Sequence, residues 1–400
     1  MRAEKRAPAI REGLFVAFTL LWSVVMTWTQ LYGPSRYVGD YPAHLRLIDS
    51  LAHGKLEVPH FVFHALAAAL GYVLPLRAAV IVVIALAQVG LGAIVYRRLA
   101  RAWAERPGAD WAPFLSATAI LLSGPISVFT FPNLFLGYFV TATYHNPTIQ
   151  TLKPLALLVF LWMVALMLEP RRDGTAPPSW RAWLAFGGTS LLMTLAKPSF
   201  SIIVPPALFL FLALHARSID WRRFMLGAFV FAISIAAVLT WQYLFLYGSN
   251  PNQEGFAWAP LIVARGFEPS LARLAMKWVL STVFPVSVLL LNWRAAIRDR
   301  ALVFAWLCFA VSVVYYLVLV ERGPRAFHGN FGWGILVTLF LLFFSSEQFL
   351  ARSRARWSAP AWLIPQLALG AHFACGLVWY AASANWFGGH CFDGKGNWCW

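Results

Sequence analysis

The chain has 400 residues, of which 60% are hydrophobic and 12% are charged, and its mean hydropathy is +0.66. A soluble domain carries about 25% charged residues, so this composition cannot cover a surface exposed to water and excludes an ordinary soluble protein. A net charge of +16 would suggest a nucleic-acid partner, but the arginines fall in short clusters between apolar runs. That pattern is the positive-inside signal of membrane proteins, so we expect membrane lipids and no nucleic acid as partners.

The apolar runs indicate the fold class. Runs of about 20 residues, the length that a helix needs to cross the hydrocarbon core, recur along the whole chain. They predict an all-α, polytopic membrane protein with about eleven transmembrane helices in a single integral membrane domain, residues 1–400. A transmembrane barrel is disfavoured because its strands alternate between apolar and polar residues. In chain order the predicted spans are 14–31, 72–96, 111–128, 149–168, 183–196, 199–214, 224–246, 271–291, 301–320, 333–350 and 361–382.

The distribution of charge predicts the orientation. The basic arm MRAEKRAPAIR precedes the first span, which we interpret as an uncleaved anchor with its N-terminus in the cytoplasm. Short arginine-dense connections are expected on the cytoplasmic side, and longer connections rich in Trp, Pro, Asn and His on the other side. Eleven spans then place the C-terminal tail, 383–400, outside a bacterial cytoplasmic (inner) membrane.

The first extracytoplasmic loop, 34–70, is expected to carry the chemistry, with an interfacial helix near its end. Asp40 follows the first span within Gly39-Asp40-Tyr41-Pro42. One interpretation is a helix cap or a solvated acid before a turn. The other is a catalytic carboxylate that accepts a proton from an attacking hydroxyl. A helix starting near Pro42 would place His44 close to Asp40, which makes His44 a second catalytic candidate.

Two further histidines in this loop, His60 and His64, are spaced to share one helical face. Such a pair can bind zinc, but a site needs three or four ligands, so a divalent metal is left open as a cofactor. The alternative is an interfacial amphipathic helix with both histidines on its polar side. The sequence has no nucleotide-binding glycine motif and no nucleophile elbow, so no bound nucleotide cofactor is expected.

Basic residues on the outer half form a second set of candidates. Lys197 abuts Pro198 between two predicted spans, and Arg322 and Arg325 lie in Glu-Arg-Gly-Pro-Arg. Some outer cations can be explained by side chains that reach for lipid headgroups. Cations held at membrane depth are costly, however, and a guanidinium binds phosphate oxygens in pairs, so we expect a phosphate site here. The remaining outer cations are Lys153, Arg265, Arg273 and Lys277.

Other polar residues complete the expected outer face. A substrate pocket is predicted from residues of three outer loops, namely Tyr41, Tyr144, His145, Asn146 and His328. Cys391 and Cys399 lie in the polar tail and are predicted to pair if that tail faces an oxidising compartment; free thiols are the alternative. Cys308 and Cys375 lie within apolar helices and are expected to be inert.

The layout resembles the GT-C superfamily of integral membrane glycosyltransferases. The resemblance lies in an acid directly after the first span, an interfacial helix before the second, an aromatic loop before the fourth and a Lys-Pro break. The phrase GDYPAHLRLIDSLAHGKL resembles the first loop of these enzymes. Many members carry a second adjacent acid, where this chain has Tyr41.

The resemblance implies a polyprenyl-phosphate-linked sugar as donor and an envelope glycan or lipid as acceptor. It implies that Asp40 is the catalytic carboxylate, that Lys197 and Arg322 or Arg325 contact the donor phosphate, and that the sugar configuration inverts. The main alternative is a transporter or flippase, whose mark would be acids or broken helices at mid-membrane. The predicted spans contain almost none of these marks, because their apolar cores lack Asp and Glu and charge gathers at the outer edge. A non-enzymatic polysaccharide-assembly or scaffold subunit is the third interpretation.

Overall fold

The computed structural model describes residues 2–33, 40–104, 109–127, 138–141, 144–170, 177–248, 255–323, 326–353, 357–383, 391–392 and 398–399. This part of the chain is an all-α assembly of fifteen α-helices. The helices are α1 Arg2–Tyr32, α2 Tyr41–Ala52, α3 Val62–Gly71, α4 Leu76–Trp103, α5 Ala112–Leu122, α6 Pro147–Met163, α7 Trp180–Ala196, α8 Val204–His215, α9 Trp221–Tyr247, α10 Ile262–Phe267, α11 Leu271–Leu291, α12 Trp293–Ala296, α13 Arg300–Val318, α14 Trp333–Ser353 and α15 Ala359–Ser383. A π-helical turn, Val164–Leu168, extends α6.

Two antiparallel strand pairs connect loops of this assembly. Strand β1, Phe256–Trp258, pairs with β2, Leu319–Glu321, so that the loop after α9 is tied to the end of α13. In the tail, β3, Cys391–Phe392, pairs with β4, Trp398–Cys399, and the backbones of the two cysteines lie opposite each other. Their side chains lie outside the described residues, so the disulfide stays a prediction.

Polar residues and prolines mark where helices begin. Five helices start after a side chain that accepts a hydrogen bond from the backbone N–H three residues further on, which satisfies one of the unpaired donors of the first turn. These caps are Asn146, Ser179, Asp220, Ser270 and Asp299. Proline, which lacks the N–H that a first turn leaves unpaired, occupies the first turn of α2, α5, α6 and α8.

Within the described ranges, eight helices are long and apolar enough to cross a membrane, and the chain is an integral membrane protein. The expected count of eleven is not confirmed, because α5, α7 and α8 have 11, 17 and 12 residues. Helix α5 ends at Leu122, since Gly124 and Pro125 follow and disfavour continued helix. The chain forms turns from Pro198 to Ile203, so the break predicted at Lys197-Pro198 extends into residues 199–203, where the start of a helix was predicted.

Helix α14 lies at the centre of the assembly. Within an apolar 18-residue window of its span 89% of residues are buried in the protein, and the corresponding window of the span that begins with α6 is 72% buried. By contrast, 28% of the corresponding α9 window is buried, so most of its residues are partly or fully exposed. Helix α9 is therefore a peripheral wall against which lipid can lie.

The arginine-rich connections gather at one end of the assembly. Arg300 donates to the Leu168 carbonyl at 2.5 Å and to the Ser218 carbonyl at 2.8 Å, while Arg352 pairs with Asp299 at 2.8 Å. Loops that the sequence assigned to one side thus share hydrogen bonds. That this end faces the cytoplasm stays a prediction.

A close backbone approach joins α15 to the segment after α5. A methyl group added at Gly376 would lie 1.8 Å from the Leu122 carbonyl oxygen and 2.7 Å from the Gly124 nitrogen. The same segment is bonded to α15 through the Gly124 N–H, which donates to the His372 carbonyl at 3.0 Å. Only glycine fits at Gly376, because the neighbouring atoms are backbone and cannot rotate away.

Gly376→Ala is therefore expected to lower the apparent melting temperature of the protein in lipid nanodiscs by several degrees, since overpacking costs about 1–3 kcal/mol. Gly370→Ala on the same helix is the matched control, because a methyl group there meets nothing within 4 Å. Alanine also favours helix over glycine, so the control should be neutral or slightly stabilising. Equal melting temperatures for the two variants would contradict the packing described for Gly376.

Candidate functional site

Asp40 is held by the start of α6 and not by its own helix. Although Asp40 directly precedes α2, its carboxylate makes no cap hydrogen bond to that helix. The Asn146 side-chain amide donates to Asp40 Oδ2 at 2.6 Å, from a position 106 residues further along the chain. The Asp40 backbone N–H donates to the His145 carbonyl at 3.1 Å. The half-buried carboxylate is thus fixed by a long-range contact, and although Asp40 occupies the N-cap position of α2, its side chain does not cap that helix.

Asn146 caps α6 and also donates to Asp40, and these hydrogen bonds together fix the orientation of its side-chain amide. Its Oδ1 accepts from the Ile149 N–H at 3.0 Å, which caps α6, and from the Thr148 hydroxyl at 2.7 Å. Its Nδ2 is left to donate to Asp40, so the amide cannot flip without losing these bonds. The positive end of the α6 dipole lies at the same place and favours negative charge near Asp40.

Lys197 is buried in the break between α7 and α8. The side chain is 8% exposed, its Nζ donates to the Thr148 hydroxyl at 3.2 Å, and it lies 4.3 Å from the centre of the Trp333 ring. Burial lowers the pKa of Lys197 to about 7, while the nearby Asp40 charge opposes the shift. An anion bound at this amine would favour its charged form, so the site suits a phosphate.

Asn146 and Lys197 line one large cavity of about 620 Å³. Its polar lining also includes His44 and His60 from the first loop. Its apolar wall comes mainly from the outward-facing helix α9 and the turns that precede α8, with Ile202, Leu239, Leu244 and Leu246. Leu244 is 57% exposed on α9. The cavity therefore combines a polar end with a wall that continues onto the outer surface of the helix assembly.

His44 and His64 form a buried pair beside this cavity. Their rings meet through His44 Nδ1 and His64 Nε2, which lie 2.8 Å apart, so one of the two nitrogens carries the shared proton. Burial lowers the pKa of His44 to about 3 and that of His64 to about 4, and the Lys197 charge acts in the same direction. Both rings are neutral at physiological pH. His44 can exchange a hydrogen bond with a ligand in the cavity, and His64 orients it.

The described residues supply no third ligand for a metal site at His60 and His64. Among the residues that the structure describes, no group of three or more His, Cys, Asp or Glu side chains is arranged to hold a metal ion. His60 lies with its ring centre 6.4 Å from that of His64, and it lines the cavity. The buried position of His64 also differs from the polar face of an interfacial helix that the sequence suggested.

Three other predicted pocket residues, His145, Tyr41 and Tyr144, lie in two different places. His145 lies beside Trp333, with ring centres 5.9 Å apart. Tyr41 and Tyr144 are drawn together elsewhere, because the Gln150 amide donates to the Tyr41 hydroxyl at 2.9 Å and to the Tyr144 carbonyl at 2.8 Å. These two tyrosines support the loop that carries Asn146 and do not line the large cavity.

The predicted arginines do not join Lys197 in the described structure. Arg322 is exposed and is not part of the cavity lining, and His328 is likewise exposed outside it. Arg325 lies outside the described residues. Lys197 is therefore the predicted phosphate contact that the cavity contains.

Two of the other basic residues are neutralised within the protein. Lys277 pairs with Glu268 at 2.8 Å, and Arg273 lies 3.6 Å from the same carboxylate. Glu268 lies in the break between α10 and α11, whereas Arg273 and Lys277 lie on α11. They form a structural ion pair away from the large cavity.

The sequence interpretation missed the acidic groups of the structure. Glu321, 7% exposed, lines the cavity together with Asn330 and Trp333. The sequence had indicated the neighbouring Arg322 instead, as a phosphate contact. The expectation that spans lack acids was also wrong. Glu347 in α14 is fully buried and accepts from Ser116 at 2.6 Å and from Gln366 at 2.7 Å.

No known protein-family model matches the chain, and no curated protein shows significant similarity to it. The resemblance to GT-C enzymes stays an expectation drawn from short motifs and layout.

The buried state of Lys197 predicts a pH dependence of stability. Its pKa is about 7 in the folded protein and near 10.5 when exposed, so between these values the unfolded chain binds a proton that the folded chain releases. Stability therefore rises with pH across this window. Lys197→Met should reduce the rise in apparent melting temperature between about pH 7 and about pH 10.

Lys55→Met is the control for that measurement, because Lys55 is an exposed lysine of the first loop. The control should retain the wild-type rise. A Lys197→Met protein whose melting temperature changes with pH as much as that of the wild type would contradict the burial of a neutral amine.

Proposed function

We propose that this chain is a membrane glycosyltransferase of the GT-C type. It transfers a sugar from a polyprenyl-phosphate-linked donor to an envelope glycan or lipid acceptor on the outer face of a bacterial inner membrane. One observation carries the proposal. A single cavity joins a buried lysine, the asparagine that holds Asp40, and an apolar wall that reaches the outer surface of the helix assembly. A lipid-linked phosphate has matching parts: an anion, a polar sugar and a long apolar chain.

The proposed contact of the donor phosphate is Lys197, and the charges around this residue support that proposal. The amine is buried and its direct contacts are a hydroxyl and an indole ring, so a phosphate that binds there gains a charge-assisted contact with little competition from water. The capped N-terminus of α6 lies close by and adds backbone dipoles of the same sign. His44 supplies a neutral imidazole on the same lining. The isoprenoid chain lies against the apolar wall of α9.

Asp40 is the proposed base. Its carboxylate takes a proton from an acceptor hydroxyl as that oxygen attacks the anomeric carbon of the donor sugar. The bond between the anomeric carbon and the phosphate oxygen breaks, and the polyprenyl phosphate leaves with the electron pair near Lys197. A single displacement of this kind inverts the configuration of the sugar. Asn146 positions the carboxylate, since its amide is locked by the cap of α6.

A second candidate, a flippase of the same lipid-linked substrate, has its own support. The chain is non-helical from Pro198 to Ile203 beside the cavity, and Glu347 is buried within a span. Backbone of this kind at membrane depth is tolerated where it lines a cavity, and it is common in transporters. The two functions separate in proteoliposomes: a transferase forms glycosylated product, while a flippase changes only the leaflet of the lipid.

Asp40→Asn should lower sugar transfer by about 10²–10⁴-fold, because the amide cannot accept the proton. The assay follows transfer from polyprenyl-phosphate-linked sugars in membranes that contain equal amounts of protein. Asp49→Asn is the matched control, since Asp49 lies on α2 with its side chain 68% exposed. The control should keep wild-type activity. Full transfer activity of the Asp40→Asn variant would contradict the assignment of Asp40 as the base.

A further inference from the structure

The cavity contains a second polar cluster, which consists of Glu321, Tyr247 and Asn330. Glu321 Oε1 accepts from the Tyr247 hydroxyl at 2.6 Å, and Oε2 accepts from the Asn330 amide at 2.5 Å. All three side chains line the cavity, and Glu321 is 7% exposed. Both carboxylate oxygens accept hydrogen bonds from donors, which is the arrangement that a deprotonated carboxylate prefers.

Trp333 connects this acidic cluster to the basic end. Its indole N–H donates to the Asn330 side-chain oxygen at 3.1 Å, and its ring lies 4.3 Å from the Lys197 amine. The Lys197 amine and the Glu321 carboxylate therefore belong to one lining and are separated by an indole and an amide. This order of charge would suit a ligand with an anion at one end and hydrogen-bond donors at the other.

The surroundings of Glu321 are aromatic. Phe256 lies 5.3 Å from Tyr247 and 5.2 Å from Phe331, measured between ring centres, and all three rings line the cavity. The antiparallel pairing of β1 with β2 places Phe256 directly opposite Glu321. Aromatic faces pack against the C–H face of a sugar ring, while a carboxylate and an amide bind its hydroxyls. A few polar groups in an apolar lining fix the orientation of a ligand in this way.

We propose that the Glu321 cluster is a subsite for the hydroxyl groups of an uncharged sugar, and that it rejects sugars that carry a carboxylate. The inference rests on the proposed function, because it assigns the sugar of the lipid-linked donor to this end of the cavity. A carboxylate has about four acceptor positions, of which Tyr247 and Asn330 use two. Sugar hydroxyls can donate to the others. A uronate would place two like charges together in a buried site, which is costly.

The test compares three lipids that share one chain and one phosphate: undecaprenyl phosphate, undecaprenyl phosphoglucose and undecaprenyl phosphoglucuronate. Binding to the full chain in nanodiscs is followed by tryptophan fluorescence. We expect the wild type to bind the glucose lipid about tenfold or more tightly than the glucuronate lipid. Glu321→Gln should abolish that preference and leave the affinity for undecaprenyl phosphate unchanged. Unchanged affinity also shows that the variant is folded.

Two further variants sharpen the result. Glu57→Gln removes the same charge from an exposed position outside the cavity and should keep the wild-type preference. Tyr247→Phe retains the carboxylate, so it should still reject the glucuronate lipid. A Tyr247→Phe protein that loses the preference as completely as Glu321→Gln would assign selectivity to shape and overturn the proposal.

The outcomes for the two proposals are distinguishable. If undecaprenyl phosphate binds in a manner that depends on Lys197 but the two sugars bind equally, the Glu321 subsite is wrong and the donor site survives. If none of the three lipids binds, both proposals are overturned. A Glu321→Gln variant that fails to fold leaves the wild-type comparison decisive, since equal binding of the two sugar lipids already contradicts the subsite.

Discussion

The hydrogen bond from Asn146 to Asp40 is the contact on which the site depends. It ties the loop after the first span to the start of α6, and the same asparagine caps that helix. The hydroxyl of Thr148, one residue into the helix, accepts a hydrogen bond from the Lys197 amine. A carboxylate, an amide and an amine from three distant parts of the chain are thereby held in one order. Removal of the cap would disturb all of them, because each link depends on the start of α6.

The membrane environment explains why the cavity lies where it does. Backbone groups without helical partners are costly in hydrocarbon, so a break in a helix is stable only where protein or water surrounds it. The turns from Pro198 to Ile203 meet this condition, since the same segment supplies Lys197 and Ile202 to the cavity lining. Charged groups elsewhere follow the same physics: Lys277 is buried against Glu268. Lys197, by contrast, meets a hydroxyl and an indole face, which leaves it suited to an external anion.

Composition and periodicity were enough to predict an all-α membrane protein and the position of most long helices. They also indicated Asp40, His44, Asn146 and Lys197, because polar residues at loop ends and a Lys-Pro break are local signals. The predicted helix lengths were wrong where a proline or glycine ended a helix early, as after Leu122. Apolar composition does not distinguish a helix from a buried turn. The acidic part of the lining was missed because its neighbours come together only through the β1–β2 pairing and the packing of α9.

The most direct measurement is a cryo-electron microscopy map of the full chain in nanodiscs loaded with undecaprenyl phosphate. The account predicts phosphate density within hydrogen-bonding distance of the Lys197 amine, with the isoprenoid chain along the outward face of α9. Density at the arginine-lined cleft formed by Arg97, Arg98 and Arg101, with an empty Lys197 cavity, would contradict it. The first result would make the cavity a lipid-phosphate site, and the second would leave only the membrane fold.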